Sequence, residues 1–260
     1  MTYCLAINVN DGLVFCSDSR TNAGTDNVSV YSKMHTFIWP GQRFFVLLSA
    51  GNLATTQAVV KKLNNDIPAG LAPNLLTVNS MQEAADYLGV VSTQVQKLHT
   101  SRDTATTSFE ATFVFGGQIG EQPPEVFMVY PQGNYIHESR EHPFLQIGEI
   151  KYGKPILDRV IKRDVSLERA ARCALVSMNS TIRSNVTVGP PVELLIYERD
   201  SLGEGRRIYF SEDDPYARQL SERWNEGLMK ALQDLPPFPW ETETQTAEDD
   251  GRVLYFPSNA

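Results

Sequence analysis

The chain opens on Met1-Thr2-Tyr3-Cys4-Leu5-Ala6-Ile7, a threonine followed at once by a run of mostly apolar residues. Residues 2–9 are predicted to form a strand, Asn10-Asp11-Gly12 a tight hairpin turn, and residues 13–18 the returning strand. Removal of Met1 would leave Thr2 with both a hydroxyl and a free α-amine. An α-amine titrates near ~7.7–8.0, so it can accept the hydroxyl proton near neutral pH. A threonine at position 2 is ordinary in itself. Evidence that its hydroxyl and amine act as a nucleophile and base must come from the rest of the sequence.

The remaining elements come in groups: strands, two helices, strands, two helices, strands and a final helix. Grouped strands indicate antiparallel sheets, whereas strict alternation with helices would indicate a parallel sheet. We therefore predict an α+β fold, a four-layer αββα sandwich of two antiparallel sheets with helices on both outer faces. Gly116-Gly117 is predicted to be a turn between strands. The predicted strands are 34–39, 44–51, 109–115, 126–130, 135–137, 192–197 and 207–210, and the predicted helices are 52–66, 80–99, 155–161, 166–182 and 215–232.

The composition describes one large globular domain with a polar extension. Residues 1–235 are predicted to form the domain, because 42% of the chain is hydrophobic and 21% is charged. Residues 236–260 are predicted to be a C-terminal extension of low hydrophobicity, rich in proline, glutamate and threonine.

Charge and residue usage exclude several classes of function. A net charge of −8 without a basic stripe argues against nucleic-acid and anionic-membrane partners. No apolar run approaches the ~18 residues needed to span a bilayer, and no secretory signal is present. Cys4, Cys16 and Cys173 are predicted to be buried free thiols, as expected for a cytoplasmic protein. The four histidines lack metal-ligand spacing and no phosphate-binding loop is present, so neither a metal nor a cofactor is predicted.

Three residues downstream of Thr2 are candidates for a site. Asp18 ends the second strand where that strand turns polar, Lys33 follows a polar loop, and Gly51 ends the apolar strand before the first helix. Each has an ordinary structural interpretation: Asp18 and Lys33 are solvated charges, and Gly51 is a turn residue. Their spacing after Thr2 supports a functional interpretation instead.

The combination of Thr2 at the head of a strand with Asp18, Lys33 and Gly51 at this spacing resembles the N-terminal-nucleophile peptidases, and proteasome β-subunits in particular. The runs Asp18–Gly24, Ile147-Gly148-Glu149 and Ser184–Pro191 are most similar to Anbu, the bacterial ancestral β-subunit branch. The resemblance extends from residue 2 to about residue 235. It implies a threonine-type peptidase or amidohydrolase that acts on a peptide or another amide.

The resemblance also implies a role for each candidate residue. Thr2 would be the nucleophile, with its own α-amine as general base. Lys33 would stabilise the alkoxide and keep the amine neutral, and Asp18 would orient and neutralise that lysine. The backbone N–H of Gly51 would donate to the oxyanion of the tetrahedral intermediate.

The chain departs from the proteasome pattern around the amine. Those subunits carry a serine in a Gly-Ser-Gly turn where this chain has Gly148-Glu149, and an aspartate and a serine where it has Asn185 and Val188. Glu149 either supplies the missing negative charge or is a solvated side chain. Two alternatives to hydrolysis therefore stay open: an inactive or weakly active scaffold or binding protein, and an enzyme that transfers the acyl group to an amine.

The resemblance further implies a homo-oligomer, arranged as an open staggered ring or a short helix. The helices 52–66 and 80–99 are the expected contact surfaces, with small residues for close approach at Ala54, Ala58, Ala84 and Ala85. The extension 236–260 is expected to contribute to subunit contacts. The alternative is a chain whose helix faces are used internally and whose extension is disordered. No feature of the sequence identifies an ATP-driven partner.

Overall fold

A computed structural model gives the arrangement of residues 1–22, 28–101 and 108–241. The end of the run Asp18–Gly24, most of the predicted loop 100–108 and most of the extension 236–260 lie outside these described residues. The strands are β1 (Tyr3–Val9), β2 (Gly12–Asp18), β3 (Arg20–Asn22), β4 (Val28–Val30), β5 (Met34–Trp39), β6 (Arg43–Gly51), β7 (Ala111–Ile119), β8 (Glu125–Val129), β9 (Tyr135–His137), β10 (Phe144–Gly148), β11 (Val192–Glu198) and β12 (Arg206–Phe210). The helices are α1 (Leu53–Asp66), α2 (Met81–Thr100), α3 (Lys154–Val160), α4 (Leu167–Ser184) and α5 (Pro215–Gln233). The chain divides into two compact units, the first spanning Met1–Arg218 and the second beginning at Gln219 within α5.

The first unit is built on two five-stranded antiparallel sheets. One has the order β10-β1-β2-β11-β12 and the other the order β5-β6-β7-β8-β9, while β3 and β4 form a small ribbon. Helices α1 and α2 cover the β6–β8 region of the second sheet, and α4 covers β1, β2 and β11 of the first. The predicted α+β fold, an αββα sandwich, is confirmed.

Strand β6 shows why the sequence folds into layers. Phe45 and Leu47 join the core between their sheet and helices α1 and α2. Phe44, Val46 and Leu48 point the other way, into the core between the two sheets. Because both faces are buried, the strand reads as a continuous apolar run rather than an alternating one. Each such side chain contributes about 1.5–3 kcal/mol by leaving water.

The helix starts follow the capping signals of the sequence. Ser80 accepts a hydrogen bond from the backbone N–H of Glu83 at 3.1 Å, which confirms the predicted start of α2. Ser166 accepts one from Arg169 at the start of α4, and Asp214 accepts one from Ala217 at the start of α5. These contacts satisfy backbone donors that have no partner inside the helix.

The turn predicted at Gly116-Gly117 is wrong. Gly116 and Gly117 do not form a turn but lie within β7, which runs on to Ile119. A Cβ on Gly116 would lie 2.9 Å from the ring of Phe15, and one on Gly117 would lie 2.1 Å from the carbonyl oxygen of Phe44. The two glycines therefore allow close packing rather than a change of direction.

The predicted contact role of two alanines on α2 is also wrong. Ala84 and Ala85 are wholly buried in the core beneath α2, so they cannot face a neighbouring subunit. Strand β10 is a further difference, because no strand was predicted over residues 144–148. It pairs with β1 at the edge of the first sheet and places Gly148 opposite Tyr3.

No helix in the described part of the chain is both long enough and apolar enough to cross a membrane.

Candidate active site

The β1–β2 hairpin brings Asp18 to the start of β1. The register pairs Cys4 with Ser17, so the last residue of β2 lies beside the first residues of the chain. The backbone N–H of Tyr3 donates to Oδ1 of Asp18 at 3.0 Å. Asp18 is completely buried, which contradicts its interpretation as a solvated carboxylate.

Lys33 reaches the same point from the segment before β5. Its Nζ lies 2.7 Å from Oδ1 of Asp18 and 2.7 Å from the carbonyl oxygen of Arg20. The same Nζ lies 3.5 Å from the carbonyl oxygen of Met1, at the peptide bond that joins Met1 to Thr2. Lys33 is only 6% exposed, so it is not a surface lysine. The structure therefore brings Asp18, Lys33 and the start of the chain together.

Asp18 is held by more than its ion pair. Oδ2 accepts a hydrogen bond from the backbone N–H of Gly189 at 3.3 Å, in the segment that leads into β11. Burial raises the pKa of the Asp18 carboxyl, while Lys33 and the N–H donors of Tyr3 and Gly189 oppose that rise. A buried ion pair is tolerated because donors satisfy both carboxylate oxygens.

The backbone of Thr2 is clamped by the end of β10. Its carbonyl oxygen accepts a hydrogen bond from the N–H of Glu149 at 2.8 Å. Gly148 adopts a φ of +84°, and a Cβ there would lie 1.8 Å from the same oxygen of Thr2. Only glycine allows this approach, so the position of the Thr2 backbone depends on Gly148. Sequence reasoning missed this role because it looked only for the absent serine.

The environment of the Met1 amine lowers its pKa. In the chain with Met1 present, partial burial lowers the pKa of the Met1 amine, and Lys33 lowers it further. Asp18 and Glu149 act in the opposite direction, because they are negatively charged. One lysine and two carboxylates therefore act in opposite directions on the pKa of the Met1 amine.

Glu149 is better placed than the sequence indicated. Its side chain is only 12% exposed, and the Nζ of Lys151 lies 3.8 Å from its Oε2. The interpretation of Glu149 as a solvated side chain is therefore wrong, and it carries negative charge near the amine. Asn185, in contrast, uses its side-chain oxygen within its own turn, where it accepts the N–H of Thr187 at 3.0 Å.

Gly51 ends β6 on the same side of the molecule. The N–H of Ser49, two residues earlier, donates to the carbonyl oxygen of Lys33 at 3.0 Å, which ties the end of β6 to the ion pair. Gly51 has a φ of +111°, and a Cβ would lie 2.4 Å from the carbonyl oxygen of Glu110. Gly51 is therefore required by its backbone conformation and its packing, and is more than a simple turn residue.

Replacing Gly51 by alanine is expected to destabilise the protein by about 3 kcal/mol, because strain at positive φ adds to a clash with the backbone. Gly41→Ala is the matched control, since Gly41 has a φ of +72° but open space around its Cβ position. It is expected to cost about 1 kcal/mol. Urea unfolding measures both values, and equal losses would show that the approach to Glu110 is not limiting.

The thiols near Thr2 are poor competing nucleophiles. Cys4, Cys16 and Cys173 are buried and free, as predicted. Burial raises the pKa of the Cys4 thiol well above its ordinary value, so the reactive thiolate is scarce at neutral pH. Among the residues that the structure describes, no three His, Cys, Asp or Glu side chains gather in the manner of metal ligands.

No known family profile matches the chain. Solved structures do: a Gly-1 mutant of Anbu from Hyphomicrobium sp. strain MC1 is 44% identical, with a TM-score of 0.86, over 92% of this chain and 99% of that one. Anbu from Yersinia bercovieri is 43% identical, with a TM-score of 0.86, over 91% of this chain and 99% of that one. The helical assembly of the Anbu complex from Pseudomonas aeruginosa is represented by a chain 45% identical, with a TM-score of 0.87, over 92% and 98%. With such identity over nearly the whole of each neighbour, the chain belongs to the Anbu, or ancestral β-subunit, family of proteasome-like β-subunits.

Proposed function

We propose that this protein is a cytoplasmic N-terminal threonine hydrolase that cleaves a peptide or another amide bond. Thr2 is the nucleophile once Met1 has been removed, and its α-amine is the general base. The observation that carries the proposal is the buried Lys33 ammonium, which bridges the Asp18 carboxylate and the carbonyl oxygen of Met1. Met1 is 59% exposed, so a processing enzyme has access to it.

Simple geometry places the amine of Thr2 under the influence of Lys33. The Thr2 nitrogen is two bonds from the Met1 carbonyl oxygen, so it lies within about 6 Å of Nζ by ordinary bond lengths. At that separation a second positive charge costs about 3 kcal/mol at an effective dielectric of 20. Lys33 therefore favours the neutral form of the amine that removal of Met1 would create, and a neutral amine can accept a proton.

The reaction then needs few groups. The Thr2 Oγ attacks the carbonyl carbon of the substrate while the α-amine takes the hydroxyl proton. Lys33 and the N–H of Gly51 stabilise the negative charge, first on Oγ and then on the oxyanion. The C–N bond breaks, the leaving amine receives the proton, and an acyl ester remains on Thr2. Water hydrolyses that ester with the amine again as base and regenerates the enzyme.

A second candidate function is a scaffold or binding protein without turnover. It is favoured by the local engagement of Asn185, whose oxygen serves Thr187 rather than the amine. A third candidate passes the acyl group from Thr2 to an amine instead of water. Identification of the products separates this transfer from hydrolysis, because both proceed through the same ester.

Treatment of the purified protein with an epoxyketone or β-lactone probe is expected to add one probe per chain, located on Thr2. The reason is that these probes react with a hydroxyl whose own amine acts as base. Intact-mass and peptide mass spectrometry give the stoichiometry and the site. A protein that retains Met1, or that reacts elsewhere, would contradict the proposal.

We further propose a homo-oligomer with an open, staggered-ring or short helical arrangement. Helix α5 has no buried residue, although large apolar side chains recur along it. Leu228, Met229, Leu232 and Leu235 are each at least half exposed. An exposed apolar stripe of this length is typical of a protein–protein interface, and a helical assembly is described for the Pseudomonas aeruginosa Anbu complex.

Removal of residues 236–260 is expected to reduce the size of the oligomer, because the extension is proposed to bridge subunits. Multi-angle light scattering of the full chain and of residues 1–235 measures the change. The variant Leu232→Glu is expected to weaken assembly further, since it places a charge in the apolar stripe. Lys230→Glu is its matched control on the same helix. A monomeric full-length protein at micromolar concentration would refute the assembly, whereas an unchanged oligomer after truncation would refute only the role of the extension.

A further inference from the structure

We propose that Glu193 and Arg207 are positioning residues that hold Lys33 against Asp18. The role given to these residues rests on the proposed function. The geometric evidence for it comes from contacts outside the site itself. Neither residue touches Thr2 or is needed for any step described above.

Arg207, on β12, contacts the residues on both sides of Lys33, the side chain of Ser32 and the backbone of Met34. Its Nη2 donates to the carbonyl oxygen of Met34 at 3.0 Å and lies 3.4 Å from Oγ of Ser32. Oγ of Ser32 also lies 3.1 Å from the Met34 carbonyl oxygen, which closes the loop around Lys33. The residues before and after the lysine are therefore fixed by one guanidinium group.

Glu193, on β11, connects that guanidinium to the segment that carries Asp18. Its Oε2 pairs with Nη2 of Arg207. Its Oε1 accepts a hydrogen bond from Oγ of Ser19 at 3.3 Å, and Ser19 follows Asp18 directly. The pair thus spans from the residue after Asp18 to the residues on either side of Lys33, and sets the distance between their backbones.

The burial of this pair argues for a positioning role. The side chain of Glu193 is 3% exposed and that of Arg207 is 27% exposed. Buried ion pairs are weak contributors to stability, because desolvation offsets much of their attraction, and apolar substitutes often serve as well. They do specify geometry, since a charge with fixed donors tolerates only one arrangement. A pair that merely joined β11 to β12 would not need contacts on Ser19 and Met34.

The test is chemical acetylation of Lys33 in the full-length protein, followed by peptide mass spectrometry. In the protein without substitutions, Lys33 is expected to react slowly with the acetylating reagent, because it is buried and paired with Asp18. In Arg207→Met and in Glu193→Gln its acetylation is expected to rise at least ten-fold. Arg206→Met is the matched control, an adjacent exposed arginine on β12, and is expected to leave Lys33 protected. Lys151, which is 68% exposed, is the internal reference that should react equally in all variants.

A second readout follows the chemistry. Covalent labelling of Thr2 is expected to slow in both variants at saturating probe with unchanged probe affinity. Its pH profile is expected to shift to higher pH, because a loosened Lys33 no longer holds down the pKa of the amine. The double variant is expected to be no worse than either single variant, since the two side chains act as one unit.

The outcomes separate the two proposals. Loss of Lys33 protection in Arg207→Met and Glu193→Gln, but not in Arg206→Met, supports the positioning role. Protection retained in both variants overturns it. Glu193→Gln keeps the side-chain volume and decides the question alone if Arg207→Met does not fold. The acetylation measurement does not require the protein to be catalytically active. Failure of the proposed function would therefore show separately, as a protein without substitutions in which the probe does not label Thr2.

Discussion

Thr2→Ala is expected to abolish covalent labelling, a loss of more than about 10³-fold, because it removes the only hydroxyl that shares a residue with the proposed base. The fold and the assembly are expected to be unchanged. The contact that clamps residue 2 uses its backbone carbonyl, which accepts the N–H of Glu149 and is independent of the side chain. Intact-mass spectrometry measures the labelling, and light scattering measures the assembly.

Thr2→Ser is the matched control, since serine keeps both the hydroxyl and the amine on one residue. It is expected to label, with a rate within about ten-fold of the threonine protein. The same pair of variants separates catalysis from scaffolding in cells. If Thr2→Ala complements a deletion as well as the unmodified gene does, the scaffold function is favoured. Loss of complementation with normal assembly favours catalysis.

Local chemistry explains which parts of the fold were predictable. The β1–β2 hairpin follows from Asn10-Asp11-Gly12 between two apolar runs, because these residue types favour a tight turn. The starts of α2, α4 and α5 follow from Ser80, Ser166 and Asp214, which bond to backbone groups within three residues. Turn and capping signals that act over so few residues can be recognised without knowledge of the tertiary structure.

Long-range packing explains what was missed. Gly116 and Gly117 carry the usual composition of a turn, but the ring of Phe15 and the backbone of Phe44 impose the strand. Strand β10 is short and interrupted by a polar Gln146, and only pairing with β1 identifies it. These contacts join residues that are far apart in the chain, so no local pattern reports them.

The residues of the candidate site likewise fall into those that could be predicted from the sequence and those that depend on long-range packing. Asp18 and Lys33 were identified through their spacing and a family resemblance, and the structure brings them to 2.7 Å. The burial of Glu149 and the contact of Arg207 with Met34 depend on how β10 and β12 pair with their sheet. Both were invisible in the sequence, where each residue looks like an ordinary surface charge.

Lys33→Met is expected to slow the labelling of Thr2 by about 10²–10³-fold, because it removes the charge that we propose stabilises the alkoxide and the neutral amine. The pH profile of the remaining reaction is expected to move to higher pH. With Met1 present, Lys33 lowers the pKa of the Met1 amine, and we expect it to act in the same direction on the Thr2 amine after processing. Removal of the Lys33 charge is therefore expected to let the pKa of the Thr2 amine rise. Labelling rates between about pH 5 and pH 9 measure both effects, a range that brackets ordinary amine titration.

The same variant leaves Asp18 buried without its cation, so it is expected to lose up to about 3–5 kcal/mol of stability near neutral pH. The sign of the pH dependence follows from the pKa of Asp18, which burial already raises and which Lys33 holds down. A carboxyl whose pKa is raised in the folded state stabilises the fold below its unfolded pKa and loses that contribution as pH rises through the folded pKa. Lys33→Met is therefore expected to be most stable in acid and to weaken toward neutrality. Adding Asp18→Asn removes the buried charge and is expected to restore stability but not labelling, whereas recovery of both would show that Lys33 acts only through the fold.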